Sequence, residues 1–481
     1  MSHLSVSGST TVGDSPRPGC APPRSSLCAM RQWLSEPAER LVFTALEPTV
    51  DADGTVLLPY RISSRDHDRS LDFTERIALP TADGVFPTAE KLPADVLRLL
   101  SLAASLSYYK ALVPATFSVP AGLSKRERHF LTELLLGGLG EFAYRNRVPA
   151  ALRPTIEAPD LPDAIAPLDS RTPDSPTRPL VAVGGGKDSI VTIESLRDMD
   201  VTPTLFSVNS YEPIEATAAE ADLPLLVARR TLDPQLFELN AAGALNGHVP
   251  VTAVNSLIGV LTALRNHMDA VIFSNEASSS FGNVSWEGID VNHQWSKGIG
   301  FERLLTEAID GHPVRYFSFL RPLTELAIMR HFARLEDYHP VFTSCNRSFH
   351  LDASKRRRWC GECPKCHFVF LCLAPFLGRV ELQAIFGGRD LLADPAQREG
   401  FLELLNVGDR LKPFECVGEP DECRAALTLL SRHPDWAGHE FLALPEVAEC
   451  FLDETSVQAA FGFSEDHLLP ASYEQAARAV L

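Results

Sequence analysis

A chain of 481 residues has room for about two to four domains of ordinary size, each burying its own apolar core. Hydrophobic residues make up 45 % and charged residues 22 %, a balance that suits folded protein and excludes a disulfide-stapled mini-scaffold. With 44 Lys plus Arg against 62 Asp plus Glu, the net charge of −18 repels phosphate backbones, so nucleic acid is not expected as the main partner, although a local basic pocket can still hold a nucleotide.

The N-terminal residues 1–36 are rich in Ser, Thr, Pro and Gly and read as a flexible tail without the basic-then-apolar layout of an export signal. Cytoplasmic residence and ten reduced cysteines follow as expectations. Residues 37–148 read as an α+β domain: the runs VFTAL, TVLLPYRI and FTERIAL are strand-like, and from Asp95 to Tyr144 the apolar period turns helical. Eight prolines between Pro149 and Pro179 mark residues 149–178 as a linker. In residues 179–385, β-rich runs (PLVAV, TPTLFSV, PLLVA, DAVIFS) alternate with helical ones, which predicts an α/β, doubly wound parallel sheet with ligands beyond the carboxyl ends of its strands. Residues 386–481 read as short amphipathic helices in which no chemistry is visible. The longest apolar run, Phe368 to Leu377, is interrupted by Pro375 and too short to span a bilayer, so no membrane segment is expected.

Strand PLVAV leads into Gly184-Gly185-Gly186-Lys187-Asp188-Ser189 and then a helix. Glycines let successive N–H groups approach an anion, and the helix N-terminus adds positive potential, so the turn reads as a phosphate cradle. Lys187 can neutralise a phosphate, Asp188 can hold Mg²⁺ and Ser189 can donate a hydroxyl. The spacing fits neither G-x-x-x-x-G-K-[ST] nor G-x-G-x-x-G, and a ligand-free βα turn is the bland alternative.

Further on, Asn246-Gly247-His248-Val249-Pro250, Ser274-Asn275-Glu276-Ala277-Ser278, Gly282-Asn283 and Val291-Asn292-His293-Gln294-Trp295-Ser296-Lys297 crowd polar residues where such a sheet opens its crevice. His248 and His293 can transfer protons near neutral pH, and Lys297 can do so if burial lowers its pKa. The same residues can also be turn caps and solvated charges.

Cys345 precedes Cys360-Gly361-Glu362-Cys363-Pro364-Lys365-Cys366, a C-x14-C-x2-C-x2-C array whose short spacers let four thiolates converge on one Zn²⁺ over residues 345–366. Four protein ligands make such an ion structural, and His350 or His367 can stand in for one of them. Cys372 reads as core, while Cys20, Cys28, Cys416, Cys423 and Cys450 carry no usable pattern. The Lys355-Arg356-Arg357-Arg358 run is either a solvated loop or a diphosphate holder.

GGGKDS resembles the S-G-G-x-D-S loop of the ATP-pyrophosphatase (PP-loop, HUP-type) superfamily, with Gly184 where that loop usually has Ser. The resemblance implies ATP and Mg²⁺ at Gly184 to Ser189, with Asp188 as metal ligand, Asn209 near the adenosine, and an adenylated substrate oxygen. Together GGGKDS-IVTIE, NGHVPVTAVNS, SNEAS, VNHQWSK and WCGECPKCHFVFLCLAPF are similar to the MurL family over about residues 179–380, with SYYKALVP near Tyr108 similar to its N-terminal domain. That resemblance implies an ATP-dependent epimerase of peptidoglycan precursor synthesis. It would invert the terminal L-glutamate of UDP-MurNAc-L-Ala-L-Glu through an acyl-adenylate, with His248, Glu276, His293 and Lys297 as proton-transfer candidates. The implied partner is therefore a UDP-muramoyl-dipeptide, and the sequence is silent on oligomeric state. Two alternatives stay open: another adenylating enzyme of the superfamily, such as a nitrile synthase or nucleoside-modifying ligase, and a zinc-stabilised nucleotide-binding protein without catalysis.

Overall fold

A computed structural model describes residues 24–82, 92–162, 174–350, 353–410 and 412–481. Of the segment read as a tail, residues 1–23 lie outside the described residues, whereas Arg24–Leu34 form a helix. Met30 and Trp33 are the reason: both are buried in the main apolar core, which outweighs the polar composition around them.

The N-terminal segment contributes β1 (Leu41–Ala45), β2 (Thr49–Val50), β3 (Thr55–Ser64), β4 (Ser70–Ala78), β5 (Thr116–Ser118) and β6 (Thr155–Glu157). In β3 and β4 every second residue is buried, the two-residue period of a half-covered antiparallel sheet. The central segment adds β7 (Pro179–Ala182), β8 (Thr204–Val208), β9 (Leu225–Thr231), β10 (Ala270–Phe273), a hairpin of β11 (Val284–Trp286) and β12 (Ile289–Val291), and β13 (Arg315–Ser318).

Among the described residues these strands, apart from the β11–β12 hairpin, join into one sheet of order β13-β10-β7-β8-β9-β4-β3-β1-β5-β6, with β2 on the side of β3. The half from β13 to β9 is parallel throughout. Strand β9 then pairs antiparallel with β4, so the N-terminal strands continue the central sheet. A buried ion pair seals this junction: Arg230 Nε of β9 donates to Glu75 Oε1 of β4 at 2.6 Å, both side chains being almost fully enclosed. The chain runs outward through β7, β8 and β9, then returns to lay β10 on the other flank of β7. The crevice therefore opens where this order reverses, between β7 and β10.

Both faces of the sheet are covered. Leu180 and Val271 face one apolar core while their neighbours Val181 and Ile272 face the other, as alternation along a strand requires. The second core takes in the helices after residue 386, including Trp436 and Tyr473. No helix among the described residues is long and apolar enough to cross a membrane.

Candidate active site

The glycine turn follows β7 and opens the helix Lys187–Asp198. Gly185 has φ +76°, and a Cβ there would come within 2.8 Å of the Pro213 backbone, so only glycine fits. Thr343 N donates to the Gly185 carbonyl at 2.9 Å and holds the turn from outside. Around Gly184 nothing lies within 4 Å of a would-be Cβ.

A cavity of about 280 Å³ opens above this turn, at the carboxyl ends of β7, β8 and β10. Gly184, Gly186, Asp188 and Ser189 line one side, and Asn275, Lys297 and Lys365 line others. Lys187, expected to meet a phosphate, lies beneath the turn instead. It is 2 % exposed and its Nζ is paired with Asp188 and, at 2.6 Å, with Glu325 Oε2. Burial works against its charge, but these two carboxylates prevail and hold its pKa above the ordinary lysine value. Cationic character inside the cavity therefore comes from Lys297 and Lys365. The Ser189 hydroxyl donates to the Gly186 carbonyl at 3.0 Å and so braces the turn. Asn209, with φ +57°, has its amide engaged with Arg230: its Oδ1 accepts from Arg230 N at 3.1 Å and its Nδ2 donates to Arg230 O at 3.2 Å.

Arg321, 1 % exposed, fastens the two polar loops at the crevice. Its Nη1 donates to the Glu276 carbonyl at 2.6 Å, its Nη2 donates to the Lys297 carbonyl, and Glu302 balances its charge at 3.1 Å. His293 N donates to Asn283 Oδ1 at 3.0 Å, which ties VNHQWSK to the Gly282-Asn283 turn. Glu276 is buried and its charge is felt by both Lys187 and Lys297.

The His248 and His293 rings lie 4.6 Å apart, tilted by 47°, and converge on Glu141, a residue of the N-terminal helix Gly140–Asn146. His293 Nδ1 is 2.5 Å and His248 Nδ1 3.7 Å from Glu141 Oε2, while Arg145 Nε donates to Glu141 Oε1 at 2.6 Å. The two rings differ in electrostatic setting. Burial, reinforced by the neighbouring His293, lowers the His248 pKa to about 4. Burial also acts on His293, but hydrogen bonds to Cys416 and Glu141 outweigh it and raise that pKa to about 9. The surroundings thus push the pKa values of two adjacent imidazoles in opposite directions.

Cys416 closes the arrangement. Lys297 Nζ donates to its sulfur at 3.1 Å, and the charge of His293 also acts on it. Burial alone would raise this thiol's pKa, yet Lys297, Lys365 and His293 hold it well below the ordinary value. The segment that carries it is clamped by Phe414, which stacks on Tyr144 at 5.7 Å and lies 4.8 Å from the Arg145 guanidinium.

The four cysteines expected to hold a metal do converge. Cys345–Cys363, Cys360–Cys366 and Cys363–Cys366 sulfurs lie 3.9, 3.7 and 3.5 Å apart, and all four fall within 4.8 Å of one another. A tetrahedron with about 2.3 Å bonds to zinc has sulfur–sulfur edges of about 3.8 Å, so the set fits that ion. Backbone N–H groups of Cys360, Gly361 and Glu362 point at three of the sulfurs, as they do at thiolates. His367 instead shares a hydrogen bond with Gln397 at 3.0 Å. Within the basic run, Arg356 and Arg357 donate to the carbonyls of His350 and Ser354, and Arg358 donates to Phe342 O.

Comparison with known proteins is consistent along the chain. The family model described as the MurL N-terminal domain matches residues 35–319, and that of the MurL C-terminal domain matches residues 341–458. A protein of Salinispora tropica named UDP-N-acetyl-alpha-D-muramoyl-L-alanyl-L-glutamate epimerase is 47 % identical over 80 % of this chain and 83 % of its own length. Proteins of the same name from Micromonospora sp. and Xanthomonas oryzae pv. oryzae are each 44 % identical, over 90 % and 77 % of this chain and 97 % and 82 % of their own. No solved structure matches the chain.

Proposed function

Because the chain belongs to the MurL family, we propose that it inverts the terminal L-glutamate of UDP-MurNAc-L-Ala-L-Glu to D-glutamate in peptidoglycan precursor synthesis, using ATP and releasing AMP and pyrophosphate. The observation that carries the reading is a single junction. The cavity over the glycine turn is lined by Lys297, and Lys297 touches the Cys416–His293–Glu141 cluster, so an anion-binding turn and proton-transfer groups adjoin.

The chemistry asks for both halves. A carboxylate protects its own α-hydrogen, because the carbanion would form beside a negative charge. Joining the carboxyl to AMP removes that charge, and the hydrogen becomes acidic enough for a side-chain base. The N–H groups of the turn suit the phosphates of ATP, Asp188 suits Mg²⁺, and Lys297 and Lys365 offset the charge that pyrophosphate carries away. Lys297 and His293 are the proton carriers closest to the junction. His248, beyond Glu141, and Glu276, whose charge acts on Lys187 and Lys297, complete the candidate set. Cys345, Cys360, Cys363 and Cys366 would hold a structural Zn²⁺ next to Lys365, which lines the cavity.

Incubation with ATP, Mg²⁺ and UDP-MurNAc-L-Ala-L-Glu, followed by hydrolysis and chiral analysis, should yield D-glutamate in step with AMP. Pyrophosphate release with glutamate left wholly L would assign the chain to another adenylation reaction.

A further inference from the structure

We propose that Cys416 is a covalent nucleophile, which takes the glutamyl group from the adenylate and holds it as a thioester while the α-carbon is inverted. The inference rests on the adenylation reading above. Its basis is a cluster of side chains: Lys297 Nζ donates to Cys416 Sγ at 3.1 Å, the charge of His293 acts on the same thiol, and His293 Nδ1 is fixed by Glu141 Oε2 at 2.5 Å. A nucleophile, a ring that manages its proton and a carboxylate that orients the ring are the parts nucleophilic catalysis requires. Here they come from three distant stretches of chain.

Two further observations distinguish this thiol from the other cysteines and set it near the cavity. Lys297, 3.1 Å from Cys416 Sγ, lines the cavity over the glycine turn, so the sulfur stands one side chain away from that cavity. Cys416 is also half-buried, whereas Cys372, Cys423 and Cys450 are enclosed in the apolar core and the other four described cysteines face one another.

The step balances. The thiolate attacks the acyl carbon, the C–S bond forms, and the bond from that carbon to the AMP oxygen breaks, with AMP taking the electron pair. A base removes the α-proton and an acid returns one to the opposite face. Water then adds to the acyl carbon, the C–S bond breaks, and the thiolate is restored with a carboxylate and two protons as the other products. A thioester delocalises less into its carbonyl than a carboxylate does, so the α-hydrogen stays acidic after AMP has left. Acylation also removes the negative charge that Lys297 and His293 share, which frees each to give up its proton and act as a base.

The test uses the full chain with its metal retained, mixed with ATP, Mg²⁺ and UDP-MurNAc-L-Ala-L-Glu, quenched in acid during the first turnover and read by intact and peptide mass. The expected result is a hydroxylamine-sensitive adduct of substrate minus water on the peptide that contains Cys416. Cys416→Ala should still release about one pyrophosphate per chain, but form no adduct and invert glutamate at least a hundredfold more slowly. Cys416→Ser, with unchanged metal content and melting temperature, serves if the alanine variant fails to fold. Inversion without any adduct in the wild-type chain, or inversion by either variant within tenfold of wild type, would overturn the thioester and leave adenylation standing. Absence of pyrophosphate release from the wild-type chain would overturn adenylation itself.

Discussion

Lys297 Nζ and Cys416 Sγ, 119 positions apart, meet at 3.1 Å, and this contact joins the crevice of the parallel sheet to a C-terminal segment. The lysine charge is a principal reason the thiol's pKa is held low against the effect of burial. In Lys297→Met the Cys416 alkylation profile with iodoacetamide should move to higher pH, toward the ordinary thiol value of about 8.5. An unmoved profile would show that the lysine does not set the thiol's charge.

The glycine turn gives a paired prediction. Gly185→Ala places a Cβ 2.8 Å from the Pro213 backbone at a positive φ, and should cost about 1 to 3 kcal/mol of stability with loss of ATP binding. Gly184→Ser meets open space and should keep the wild-type melting temperature. Equal melting temperatures for the two variants would contradict the turn's geometry.

Metal analysis of chain purified without chelator should find one zinc per chain. Because the four-thiolate site forms only on folding, Cys360→Ser or Cys363→Ser should lower the melting temperature and solubility. Sub-stoichiometric zinc in well-folded chain would remove the ion from the account.

His293 yields a pH dependence. Burial opposes its charge, but hydrogen bonds to Cys416 and Glu141 raise its pKa from 6.5 to about 9. A group whose pKa is raised on folding stabilises fully below its unfolded value and ceases to do so as the pH passes its folded value. The stability advantage of wild type over His293→Asn, from urea unfolding, should therefore shrink between about pH 6.5 and 9. An advantage that is constant or grows over that interval would contradict the ion pairing.

Legibility in the sequence followed locality. The Gly184–Ser189 turn and the Cys345–Cys366 array were visible because adjacent residues and short spacers define them, and the alternation after Pro179 announced the parallel strands. The sequence alone does not show that Lys187 is paired, because its partner Glu325 lies far along the chain. Glu141 looks like one half of an ordinary helical pair with Arg145, and Cys416 stands alone in a stretch without pattern. Both acquire meaning only when the N-terminal helix and the C-terminal segment dock on the crevice, through Phe414 against Tyr144 and Arg145. The same holds for the β4–β9 pairing, whose Glu75–Arg230 contact no local pattern encodes.

The central claim is that inversion proceeds by breaking the glutamate Cα–H bond after ATP has activated the carboxyl group. It is tested most directly by running the reaction in deuterated water with and without ATP and measuring deuterium at that carbon. Label should enter the inverted product only when ATP and Mg²⁺ are present, and His293→Ala or Lys297→Ala should show at least a hundredfold less label and inversion together. Label that enters equally without ATP, or inverted product without label, would contradict it.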